Sequence, residues 1–359
     1  MTPPGPSDPL ALGQRLVAVL ESGQRTATYK LAVMVALLDI AVESVPDDPD
    51  EPVAIDLDDL SHRVMDLYWR QLRPLDGHVL RQSNDGRGVV FRAVTGLREA
   101  TETPRRRVPL EVAQRQAPDA YLQARTTVKH KLVRYPLKLL QNVGRHTGSE
   151  RFLYDDSWMG TDSAQVIAQH DNRFHLFGGV GTTLARLAPL LKPAFQLAWV
   201  DDVRRMNRGL LDEGPDLAFH LFGTDRISLQ RPGAILAEAF GSSCFYCDAR
   251  LRTERHVDHV LPWSRVGLDG MSNLVLSCQS CNSSKSDLLP DHTHVRRALG
   301  RGRVVLDELA DSIDWPSQFD RVVSAAHGLY ATQPAGSPVW LARNQILTLS
   351  RIDFVWPGS

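Results

Sequence analysis

The chain has 359 residues, 43% hydrophobic and 23% charged, which excludes a mostly disordered polymer and leaves room for two or three domains. Its 41 Lys and Arg against 42 Asp and Glu give a formal net charge of -1, so overall charge supplies no attraction to nucleic acid. The most apolar stretch, residues 31–42, contains an Asp and is too short to span a membrane. The proline-rich start lacks the basic and apolar regions of a secretory signal, so a cytoplasmic protein with reduced thiols is expected.

In chain order, "LALGQRLVAVLES" and "TATYKLAVMVALLDIAVES" place apolar residues at helical spacing, with Thr26 or Thr28 as a cap for the second. "VPDDPDEPVAIDLDD" carries seven acids and three prolines, and reads as an exposed loop leading into a helix at "LSHRVMDLYWRQL". Turn formers around "VVFRAV" suggest a short strand or hairpin. From Pro104 to Arg151, 11 basic residues stand against three acids. The centre of this zone is expected to be helical, with a break at Pro136 and a stop at Gly144. "LARLAPLLKPAFQLAWVDDVRRMN" reads as helix interrupted at its prolines, and the glycines of "FGGVG" lack the Gly-Lys-Ser/Thr continuation of a phosphate loop.

All four cysteines fall in one segment, as Cys244-x-x-Cys247 and Cys278-x-x-Cys281. Each two-residue gap lets both sulfurs of a pair face one ion, so the set reads as a closed, structural Zn²⁺ site of four thiolates. The 30 residues between the pairs must themselves fold. "HVDHVLPWSR" and "NLVLSC" have the pattern of short strands, "VGLDGMS" of a turn, and "NSSKSDLL" of a helix start.

These residues resemble the HNH, or ββα-metal, nucleases in the version stapled by four cysteines. The likeness runs from about Cys244 to Leu289 through Asp258-His259, Pro262, Asn273-Leu274 and Cys278-Gln279-Ser280-Cys281-Asn282-Ser283-Ser284-Lys285, with Asn282 in place of the last His. The resemblance implies a hydrolase acting on a phosphodiester: His259 as general base, Asn273 orienting its imidazole, and Asp258 and Asn282 holding a catalytic Mg²⁺ or Mn²⁺. Lys285, Arg265 and His256 are the expected phosphate contacts, each weighed against an ordinary surface or hydrogen-bonded role. The flanks are similar to those of bacterial HNH proteins of restriction or phage defence.

Acids and bases balance at five each between Cys244 and Pro290, so affinity for DNA, expected to be double-stranded, must come from elsewhere. Arg105, Arg106, Arg107, Lys129, Lys131, Arg134 and Lys138 are the candidates, against the alternative of a solvated helix face paired with the acidic 47–59 segment. The expected organisation is α+β: a mainly helical domain at 1–103, a basic, mainly helical region at 104–232, the HNH domain at 233–295, and a helical extension at 296–359. The main alternative is a non-catalytic zinc module that binds nucleic acid or protein; RNA as substrate is a third reading. One finger carries one hydrolytic centre, so cutting both strands calls for a homodimer, a partner protein or two successive events.

Overall fold

In the computed structural model, residues 8–21, 25–86, 88–103, 106–143, 151–209, 217–222, 228–252, 255–350 and 356 are described. The chain divides into two compact units, Met1–Ala41 with Val45–Arg226, and Val42–Ser44 with Ile227–Ser359. The fold is α+β, with three two-stranded antiparallel sheets set among helices in the described residues. No described helix is long and apolar enough to cross a membrane.

The first unit contains α1 (Pro9–Glu21), α2 (Tyr29–Glu43) up to Ala41, β1 (Val53–Asp56), α3 (Leu57–Gln71), α4 (Val89–Thr101), α5 (Leu110–Gln116), α6 (Pro118–Arg134), α7 (Pro136–Leu139), α8 (Ala164–Gln169), β2 (Arg173–Leu176), α9 (Val180–Met206) and α10 (Leu217–Phe222). Residues 31–38 of α2 are all essentially inaccessible, as befits a helix apolar on every side. Helices α3, α4 and α6 pack against one another, while α1 and α10 pack on α9.

Four local expectations are corrected. The acidic 47–59 segment is more than a loop: its Val53, Ala54, Ile55 and Asp56 pair with β2 in antiparallel register, and Asp56 then caps α3 by accepting from the amides of Asp58 and Asp59. "VVFRAV" belongs to helix α4, because Val90, Val94 and Leu97 form one buried stripe at helical spacing. Helix α9 runs unbroken through Pro189 and Pro193. These prolines are four apart, so the amide that Pro193 lacks would have bonded to the carbonyl of Pro189. Thr28 does not cap α2 with its hydroxyl, which instead lies 2.5 Å from the Tyr68 hydroxyl and 3.0 Å from Gln82 Oε1.

The glycines of "FGGVG" serve packing. A Cβ on Gly181 would lie 2.4 Å from Val53 Cγ2, and one on Gly178 would lie 2.5 Å from the Asp50 carbonyl oxygen. Only residues without side chains let the start of α9 close on β1.

The second unit contains α11 (Gln230–Phe240), β3 (His256–His259), α12 (Trp263–Val266), a 3-10 turn (Met271–Asn273), β4 (Leu274–Ser277), α13 (Gln279–Lys285), α14 (His292–Leu299), α15 (Arg303–Ser312), α16 (Phe319–Thr332), β5 (Pro338–Ala342) and β6 (Gln345–Thr348). The strand, strand, helix order expected between and after the cysteine pairs is present as β3, β4 and α13. The extension expected to be helical at 296–359 also carries, among its described residues, the β5–β6 hairpin after its helices.

Candidate metal centre and active site

The first cysteine knuckle is a tight turn: Cys244 N–H donates to the Ala249 carbonyl, Asp248 N–H donates to the Cys244 carbonyl, and Asp248 takes a positive φ of 57°. Phe245 N–H donates to the Leu276 carbonyl and ties this turn to β4. The second knuckle is the start of α13, where Cys278 is the N-cap and its sulfur accepts from Cys281 N–H. The four Sγ atoms lie within 4.8 Å of one another, with Cys247 and Cys278 3.9 Å apart. Tetrahedral zinc with bonds of about 2.3 Å requires sulfurs about 3.8 Å apart, so the set fits the ion. Burial pushes the Cys244 and Cys281 thiols up, and a bound dication would offset that cost by stabilising the thiolates.

Strand β3 pairs with β4 so that Asp258 faces Val275 and His259 faces Leu274 across the ladder. Both side chains are nearly enclosed. Asp258 Oδ2 accepts from the Tyr246 hydroxyl at 2.6 Å and lies 3.1 Å from Lys285 Nζ. Burial, followed by the Asp258 charge, raises the Tyr246 hydroxyl well above its ordinary range, which keeps it a donor.

His259 Nε2 lies 2.8 Å from Asp269 Oδ1, with side-chain exposures of 6% and 22%. In the neutral ring this carboxylate places the proton on Nε2 and the lone pair on Nδ1. Asp269 was not among the residues expected from sequence. It sits in the β3–β4 loop, where Trp315 Nε1–H donates to its carbonyl and Gly270 N–H donates to Gln318 Oε1.

Asn273 does not make the expected hydrogen bond to the imidazole. It is fully buried, accepts from Leu261 N–H at 2.8 Å, and donates to the carbonyls of Leu261 and Leu268. An interior amide must satisfy both its donors and its acceptor, and here the loop backbone does so. Asn273 therefore braces the loop that leads from Leu261 to Asp269.

Lys285 is also corrected. Only 1% exposed, it donates to the His259 carbonyl at 2.7 Å and pairs with Asp258, so its ammonium is enclosed instead of being offered to phosphate. Arg265 is half-buried, and burial lowers its guanidinium from the ordinary value against the opposing pull of Asp287. His256 lines a separate cavity of about 410 Å³ with Gln230 and Gly233 of α11, and its Nε2 is buried without a partner. Asn282 is half-buried on α13, one helical turn before Lys285. The hairpin supports that helix: Trp340 Nε1–H donates to Ser284 Oγ, and Trp340 N–H donates to the Leu289 carbonyl.

The basic zone is largely engaged in the first unit. Arg125 and Lys129 pair with Asp58, Arg134 with Asp162, and Lys138 with Asp156. Arg106 and Arg107 are exposed, whereas Arg105 and Gly144 lie outside the described residues. Pairing with the acidic segment thus accounts for Lys129, whereas Lys131 Nζ lies 4.0 Å from the Tyr135 ring centroid.

Two family comparisons bear on this arrangement. The HNH endonuclease family matches residues 244–288, and the paired strands, the helix and the four clustered cysteines make this segment an HNH domain of the zinc-stapled type. A second family, described as a domain of unknown function (DUF8808), matches residues 10–214, more than half of the chain, and the protein belongs to that family. Comparison with curated proteins and with solved structures gave no match.

Proposed function

We propose that the protein is a metal-dependent endonuclease that hydrolyses DNA phosphodiester bonds and holds a structural Zn²⁺ through Cys244, Cys247, Cys278 and Cys281. The observation that carries this reading is the His259–Asp269 pair beside Asp258 at the end of β3, within the segment matched by the HNH family. A carboxylate on Nε2 leaves Nδ1 basic and stabilises the imidazolium formed when His259 takes a proton from water. Asp258 and Asn282 supply hard oxygen donors suited to Mg²⁺ or Mn²⁺, and an ion there would compete with the Lys285 ammonium for the Asp258 carboxylate. Such an ion would neutralise charge on the phosphorane and the leaving oxygen. Asn273 and the 315–318 segment hold the loop so that His259 and Asp269 keep their pairing.

The similarity of the flanks to defence proteins supports a role in restriction or phage defence, with the first unit selecting the target. Action in the cytoplasm, where cysteines stay reduced, suits the tetrad. A non-catalytic zinc module is favoured by one observation: Lys285 already occupies Asp258.

Supercoiled plasmid incubated with purified protein separates the two readings. The nuclease converts it to nicked or linear forms only when Mg²⁺ or Mn²⁺ is added, and a zinc-loaded, folded His259→Ala variant does not. Divalent-independent cleavage, or equal cleavage by the variant, would refute the mechanism. Absence of cleavage on DNA and RNA alike would leave the binding module, or a nuclease held inactive until a partner or a modified target arrives.

A further inference from the structure

Helix α9, at 27 residues the longest described helix, has an unusual outer side. Arg186, Leu190, Pro193, Leu197, Asp201 and Arg204 are all exposed, and steps of three and four residues set them in one stripe. The outer face of a helix in water ordinarily carries charged and polar groups. Here no charge stands on it between Arg186 and Asp201, because Lys192, the one ionisable residue of that span, is buried in an ion pair with Asp39 at 2.6 Å. In place of charge, Leu190 and Leu197 are 74% and 61% exposed.

Helix α1 adds to this apolar surface. It packs beside α9, where a Cβ on Gly13 would meet Leu187 Cδ1 at 3.6 Å, and its Leu10 and Val17, seven residues apart, are 71% and 43% exposed. Exposed aliphatic side chains grouped on adjoining helices and rimmed by charge mark an interaction surface.

The charges at the two ends of the stripe identify what covers it. Leu190 and Leu197 lie equally far from the midpoint between Pro193 and Ala194, and so do Arg186 and Asp201. A second copy of α9, laid antiparallel across the first on a two-fold axis through that midpoint, sets each Leu190 against the other copy's Leu197 and each Arg186 against the other copy's Asp201. A two-fold contact requires this self-complementarity; a parallel pairing would instead set like charges together. The charges are also available. Arg186 has no ion pair among the described residues, and the Asp201–Arg204 pair at 2.9 Å is open to water.

We propose that α9, flanked by α1, forms the interface of a two-fold homodimer in which the two copies of α9 cross antiparallel at Pro193 and Ala194. Arg186 and Asp201 are about 22 Å apart along the helix, and two helices side by side are about 20 Å wide. Each copy thus contributes a footprint of about 450 Å², which corresponds to weak, reversible association. The dimer does not rest on the nuclease reading. Where that reading holds, the pair brings together two hydrolytic centres, as cleavage of both strands requires.

The test is sedimentation velocity of the full chain from about 1 to about 200 μM, a range that brackets micromolar dissociation constants. The sedimenting mass should rise with concentration from one chain toward two. Leu197→Glu should weaken association at least about tenfold, since it sets a carboxylate against apolar surface, and should leave the melting temperature at the wild-type value because the position is exposed. Arg186→Asp and Asp201→Arg should each weaken association several-fold by opposing like charges, and the two together should restore it to within about twofold of wild type. A chain that stays monomeric at the highest concentration would overturn the proposal and leave the face to a different protein. A dimer indifferent to Leu197→Glu would place the contact elsewhere and overturn it equally, and failure of the charge swap to restore association would refute the antiparallel register. None of these readouts depends on whether the HNH domain cuts.

Discussion

Replacing Asp269 by Asn tests the proposed base most directly. Asparagine preserves size and can still accept from His259 Nε2–H, but it cannot stabilise the imidazolium that appears as water loses its proton. The bond is 2.8 Å long, with His259 enclosed and Asp269 22% exposed at its side chain. Hydrogen bonds to charged groups contribute about 1.5–3 kcal/mol, and partial solvent screening favours the lower half of that range. At about 1.4 kcal/mol per factor of ten, single-turnover cleavage should slow about 10- to 50-fold, with little change in KM because substrate binding in the ground state is untouched. Asp269→Ala, which also loses the orienting bond, should be slower still. Zinc content and melting temperature must match wild type in both variants. An Asp269→Asn protein that is folded, zinc-loaded and fully active would show that His259 does not work through this carboxylate.

Four other outcomes are expected. Cys278→Ser should drop bound zinc from one ion per chain, measured by elemental analysis, and unfold the second unit, since structural zinc supplies about 10 kcal/mol or more of folding free energy; retention of zinc and a cooperative melt would exclude the four-thiolate site. Lys285→Met leaves the Asp258 carboxylate enclosed without its cation, so it should cost about 3–5 kcal/mol in denaturant melts, and added Mn²⁺ should restore more stability than it gives wild type; no such excess would argue against Asp258 as a metal ligand. In the first unit, buried Gln141 accepts from the amides of Phe152 and Leu153 at 2.8 and 2.7 Å and donates to the Tyr154 carbonyl. Gln141→Leu should therefore lower stability by about 2–4 kcal/mol in the same assay, and a loss below experimental error would refute that account. His294 is pushed down chiefly by burial, opposed by the Leu341 carbonyl and Asp291 and aided by Arg297 and Lys285. The unfolded chain therefore takes the proton first, so stability present above the ordinary value of 6.5 is lost as pH falls toward the lower folded value. Thermal melts of His294→Gln should show a shallower decline across that window, and an unchanged slope would remove His294 as its cause.

What the sequence made legible depended on how local the determining interactions are. The cysteine pairs could be read because tetrahedral coordination constrains spacing within each knuckle, and β3 and β4 because their apolar residues bracket a turn. Helix α4 was misread because its valines favour a strand, while the deciding stripe of Val90, Val94 and Leu97 gains its meaning only through burial. Asp269 gave no spacing signal. An acid in a glycine-containing turn is ordinary, and its pairing with His259 depends on Trp315 and Gln318, more than forty residues further along. Asn273 was singled out by motif, yet only its three backbone partners reveal that it braces the loop.

The same distant contacts bear on how far the candidate active site extends beyond the matched 244–288 segment. Arg301 donates to the carbonyls of Ser272 and Leu274, at the junction of the loop and β4, and remains charged even though burial lowers its guanidinium to about 10. Met271 N–H and Ser272 N–H donate to the carbonyls of Pro316 and Ser317, while Trp340 holds α13 through Ser284. Gly270 has no room for a side chain, since its Cβ would lie 2.5 Å from the Ser317 carbonyl oxygen. Removing the helices and hairpin after residue 290 would expose these backbone groups and release the loop that fixes Asp269, even with every zinc ligand in place. The zinc tetrad can anchor the ends of the β3–β4–α13 frame, but the orientation of His259 is set by the tail that packs on its loop.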